Sequence, residues 1–270
     1  MSSTFSDVLS CLDTFYVENA LNFFIPSLKK DVKFKPLSID QQRRFIDLRH
    51  QYSDLAMAEF SEVYDVIIKE SCIDSVEIDD FTSLDRVVIA LQHRAEIDDD
   101  LVLVLDDDEG VTVSVKVSDY VQNVKNAKIE LPKRPLRHKN IKIHVGLPTL
   151  SRDNATNRFA KEIIEYDPDD TQVEIQAKID KNQGDMVLLT FIKYIDKIEV
   201  GELELTSKDS NPGQMLTIVR KLPGAFLKRL LTQMLKFRDT ETTPLTMSHK
   251  IDKVDRDVTL QVNSVLFTGA

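Results

Sequence analysis

The sequence predicts an α+β protein, and three observations carry that reading. Apolar stripes of helical spacing are opened by capping sequences, Ser38 with Gln41 and Thr82 with Asp85. Val111, Val113, Val115 and Val117 alternate with Thr112, Ser114 and Lys116, and Ile141, Ile143 and Val145 repeat the pattern, so short strands with one apolar face lie in the first half. Beyond residue 150 the long periodic runs read as helices, and a short β segment closes the chain. The expected organisation is an N-terminal amphipathic extension over 1–25, an α+β domain over 26–150 and a mostly helical domain over 151–270. Both halves could share one core.

Taken in order, Phe5, Val8, Leu9, Leu12, Phe15, Tyr16, Ala20, Phe23 and Phe24 recur at roughly helical spacing, with Ser6-Asp7 as a start. Two readings stand: a helix packed on its own domain, or an arm docking on another subunit through Phe5, Phe15, Phe23 and Phe24. Pro26-Ser27 makes a turn. Val32, Phe34 and Pro36 alternate with lysines as a short edge strand. Helices follow from Ile39 to about Gln51, Asp54 to Ser71 and Thr82 to Arg94, the last burying Leu84, Val87, Val88 and Leu91. Leu101–Leu105 is wholly apolar, hence a strand buried on both faces or lying at an interface. With Val111–Val117 it forms a hairpin whose tip carries Asp106, Asp107 and Asp108. Ser118-Asp119-Tyr120-Val121 opens a short helix. Lys133, Arg134, Arg137, His138 and Lys139 make a basic loop before the strand at Ile141.

In the second half, Asn154–Tyr166 is amphipathic, and Val173, Ile175 and Ala177 alternate weakly. Met186–Ile198 is apolar almost all round and reads as a central buried helix. Gly201 to Leu205 is a turn and a short strand. Pro223-Gly224 separates two helices, because proline lacks the donor and clashes with the preceding turn. Val258, Leu260 and the segment to Phe267 close the chain, paired with Met247–Ile251.

Composition narrows the function. The chain has 270 residues and a net charge of −10, which argues against broad nucleic-acid binding. No apolar run approaches the ~20 residues that span a bilayer. The opening, with Asp7, Asp13 and Glu18 and no basic cluster, does not read as a signal peptide. Cys11 and Cys72 lack ligand spacing and read as two reduced, buried thiols. The five histidines are scattered and form no ligand or catalytic motif, and His144, out of step with Ile141, Ile143 and Val145, reads as a surface histidine facing solvent. No glycine-rich phosphate loop occurs. The acidic tip fails the calcium-loop pattern, since Gly110 comes too early and the twelfth position is Val117. No metal and no cofactor is expected.

Three stretches together resemble a known family. They are the Pro26-Ser27 turn followed by a strand ending Lys35-Pro36-Leu37 and by Gln41-Gln42 at a helix head; the short helix with Asp85 near its start and Arg94 near its end; and the valine-rich strand, the Ser118–Val121 turn and Ile141-Lys-Ile-His-Val-Gly-Leu-Pro148-Thr149-Leu150. In these the chain is similar to the baseplate hub and hub-assembly proteins of T4-like phages. The resemblance begins near the Pro26 turn, which makes residues 1–25 an extension. Some relatives carry paired cysteines near the C-terminal end, where this chain has Asp252, Asp255 and Asp257.

The resemblance implies a non-enzymatic subunit or assembly factor of the central tail hub, found in the virion baseplate or in the host cytoplasm during assembly. Its partners would be other baseplate and hub proteins, with no nucleic acid and no membrane. Docking would use the aromatic residues of the extension and two charged patches, Asp106–Asp108 and Arg134 with Arg137. A solvated acidic tip and a solvated basic loop are the plainer readings of those patches. The alternatives are an unrelated cytosolic scaffolding protein and an enzyme assembled by folding around Asp85, His93 and Arg94.

Overall fold

A computed structural model describes residues 4–47, 54–106, 111–127, 134–167, 169–251 and 254–260. The protein is α+β, with its strands in small antiparallel sheets. It divides into two compact units, residues 1–50, 59–127 and 245–270 in the first, and 51–58 with 128–244 in the second. The boundary expected near residue 150 falls inside the second unit.

The first unit opens with helix α1 (Phe5–Glu18). The helix expected to run on to residue 25 ends there, and Leu21–Ile25 is instead strand β1, paired antiparallel with β2 (Lys30–Phe34). The reason lies in the alternation: Phe23 and Ile25 face the core beside Val32 and Phe34, and β2 has one apolar face that needs a partner strand. Lys29, with φ of 51°, closes the turn after Pro26. Helix α2 (Ile39–Asp47) starts at the expected capping box. Gln41 N–H donates to Ser38 Oγ (3.2 Å), and Ser38 N–H donates to Gln41 Oε1 (3.0 Å). The continuation of this helix to Gln51 lies outside the described residues. Helix α3 (Asp54–Ser71) and α4 (Ser83–Ile97) follow, and Phe60 and Tyr64 of α3 stack on each other with the Phe45 ring of α2 tilted against both.

Helix α4 is buried nearly all round from Leu84 to Arg94, polar residues included. Strands β3 (Asp100–Asp106) and β4 (Val111–Lys116) form the expected hairpin and lead into α5 (Val117–Asn126). Of the two expectations for this strand, burial on both faces or a place at an interface, the first fails. Leu101 and Val115 are covered at the base, whereas Val102 and Val104 are 49% and 48% exposed opposite Ser114 and Thr112.

The second unit is built on a four-stranded antiparallel sheet in the order β5 (Leu136–His138), β6 (Ile141–Val145), β7 (Ile195–Val200), β8 (Leu203–Thr206). Helices α6 (Leu150–Ile163), α7 (Gln172–Lys181) and α8 (Gln183–Ile192) come between β6 and β7, and α9 (Pro212–Arg220) and α10 (Gly224–Thr242) follow β8. Two expectations fail here. The weak alternation at 173–177 belongs to α7, whose start is fixed by a capping box between Thr171 and Glu174. The expected helix Met186–Ile198 stops at Ile192. Ile195 and Ile198 are buried on β7 although three residues apart, because the ladder shifts register between His144 and Val145. Such a bulge sets two residues against one and imitates helical spacing. Gly201, with φ of 62°, makes the tight turn from β7 to β8.

The closing β segment returns to the first unit. Strands β9 (Thr246–Ile251) and β10 (Val254–Thr259) pair antiparallel. Tyr120 on α5 holds them: its hydroxyl lies 2.8 Å from His249 Nε2 and donates to the Val258 carbonyl at 3.3 Å. Burial pushes this phenol up to about 12. The expected extension of the strand to Phe267 lies outside the described residues.

Candidate docking surface

Helix α1 is closed at both ends by its own side chains. Thr4 is the N-cap, in place of the expected Ser6-Asp7. Asp7 N–H donates to Thr4 Oγ1, while the Asp7 carboxylate accepts from the Thr4 N–H and hydroxyl, both at 2.8 Å. Those bonds hold the Asp7 carboxyl below its usual value. At the other end Asn19 donates from its backbone and from Nδ2 to the Phe15 carbonyl. No side chain of the helix is buried. Phe5 is 80% exposed and Phe15 54%, and Val8, Leu9 and Leu12 are about half exposed. At 100° per residue Phe5, Val8, Leu12 and Phe15 fall on one seam, widened by Leu9 and Tyr16. Most apolar residues on a helix face their own core; these face water.

The other expected contact residues do not join this seam. Phe23 is 2% exposed, stacked on Phe34 and edge-on to His93. Phe24 is half-buried under Lys125, and its backbone N–H and carbonyl are both bonded to the Gln92 side chain at 2.8 and 3.1 Å. Asp106 ends β3, and Asp107 and Asp108 lie outside the described residues. Arg134 is exposed, and Arg137 is exposed on β5, its carbonyl accepting from Arg229 of α10. Val8, Leu9 and Leu12, part of the expected stripe but not of the expected contact set, are the residues that complete the seam. Their spacing was the available signal. Cys11, expected buried, lies exposed on the same helix.

The groups proposed for an enzyme do not converge. Asp85 caps α4 and accepts from the Ser27 N–H at 2.9 Å. Arg94 donates to the Asp98 and Asp100 carbonyls. His93 is 1% exposed, with Nδ1 2.8 Å from the Tyr64 hydroxyl. Burial lowers its pKa to about 3, only partly offset by the Lys35 carbonyl. Arg86 and Asp65 meet in a buried fork of two bonds at 2.7 Å. The buried polar side chains Asp85, Arg86, Gln92, His93 and Arg94 thus fasten α4 to neighbouring segments. In the second unit Glu199 accepts from Lys142, Lys197 and His144, which hold its carboxyl down at about 2. His144 is therefore paired on a polar sheet face instead of lying free in solvent. Among the described residues no group of three His, Cys, Asp or Glu could hold a metal ion, and no helix is long and apolar enough to cross a membrane.

Comparisons with protein-family models, with curated proteins and with solved structures find no match for this chain.

Proposed function

We propose that this chain is a non-enzymatic protein of a tailed-phage baseplate, a structural subunit or assembly factor of the central hub, and that it works by docking on other hub proteins. The observation that carries the docking reading is α1, a capped helix none of whose side chains is buried and whose apolar seam runs from Phe5 to Phe15. Covering a large apolar side chain gains ~1.5–3 kcal/mol before ordering costs, so several on one preformed helix suit a stable contact. The phage attribution rests on the sequence resemblance across the Pro26 turn, the Asp85–Arg94 helix and the run to Thr149. A scaffolding protein of another system would use the same helix.

A protein inventory of purified particles, with a co-purification from infected cells, separates these readings. The expected result is this chain in the baseplate or in hub assembly intermediates. Its absence from both overturns the phage reading.

A further inference from the structure

The charge around the seam says what kind of surface receives it. Residues 1–28 contain Asp7, Asp13 and Glu18 and no lysine or arginine. On the helix, Asp13 flanks the apolar arc beyond Leu9, and Glu18 and Asp7 lie beyond its other edge. A second α1 would bring only further acids to these flanks, and like charges at paired helix edges repel. The helix has 14 residues, two heptads, and isolated helices of that length are marginal in water. Pairing with itself is thus opposed by charge and by length. An anionic membrane surface is opposed by the same acids, since amphipathic helices that lie on membranes carry Lys and Arg on their polar face. A preformed protein groove answers both objections, because it supplies the opposite wall at no ordering cost.

Resting on the docking reading above, we propose that α1 is received by an apolar groove on a different protein, rimmed by lysines or arginines that face Asp13 and Glu18. Asp7 is left out of this contact because its carboxylate is committed to the Thr4 cap. Leu12 sits at the centre of the seam and anchors it.

The test uses the full chain carrying a photo-cross-linking phenylalanine at position 12, expressed in infected cells, with the cross-linked peptide identified by mass spectrometry. The expected product joins α1 to a cationic segment of another protein. Incorporation of the chain into hub intermediates should fall at least about tenfold for Leu12→Asp. It should fall about tenfold for the Asp13→Lys, Glu18→Lys double variant, whose purified chain keeps its helical content and melting temperature. A cross-link to a second copy, to lipid or to a segment without cations overturns the proposal, as does no cross-link from a chain that still assembles. Loss with Leu12→Asp but not with the double variant removes the basic rim and leaves the docking reading standing. No loss with either variant removes both.

Discussion

At the scale of single residues, His93 has the clearest consequence. Its folded pKa of about 3 lies below the 6.5 of the exposed group. The unfolded chain therefore binds the extra proton first. This histidine's full contribution is present above pH 6.5 and is lost as pH falls from there toward 3. Stability should drop by roughly 2 kcal/mol between pH 7 and pH 5 from this residue alone. Urea titrations at the two pH values should show that slope, and His93→Gln should remove it; an unchanged slope would mean another group titrates. Nothing near position 93 in the sequence announces this burial, because its partner Tyr64 lies on another helix. Ser38 is the opposite case. Both halves of its capping box lie within four letters, so the bond was legible. Ser38→Ala should cost ~1 kcal/mol in a thermal melt without touching partner choice.

At the scale of elements, what was legible followed local rules and what was missed followed pairing. The capped helices α2 and α4 and the break at Pro223 announce themselves through residues in contact along the chain. Strand β1 does not: Phe23 and Phe24 fit a helical stripe, and only the register Phe23 to Val32 makes them a strand. Strand β7 is harder still, since its bulge opposite His144 gives two buried isoleucines a helical interval. The exposure of α1 could not be read at all, because an apolar stripe looks the same whether or not its own core covers it. The boundary between α1 and β1 decides how the arm is tested. Deletion of residues 1–19 should leave a soluble chain with an unchanged melt that fails to enter the assembly. Deletion of 1–24 removes Phe23 from the core and should unfold the first unit. A chain unfolded by the shorter deletion would make α1 structural and end the docking reading.

At the scale of the whole molecule, the hydropathy pattern showed where helices and strands change over but not which belong together. The closing hairpin is the case in point. Val258, Ile251 and Leu260 are buried in the unit that the N-terminal residues begin, through Tyr120 and His249. Truncation before Thr246 should speed amide exchange in α4 and α5 and leave the protection of α6 and α10 as it was; equal loss in all four helices would show a single cooperative core. The same arrangement sets an order of events at the ribosome. The unit begun by the first residues cannot be finished until about 130 residues beyond Ala127 have been made, a delay on the order of ten seconds at common synthesis rates. For that interval the side of α5 that bears Tyr120 waits uncovered, and the second unit, whose residues end at Pro244, has all of its chain before the first unit does. The unit that holds α1 to α5 is thus completed after the one that follows it in the chain, and a chaperone meeting the nascent chain would find its binding surface at α5.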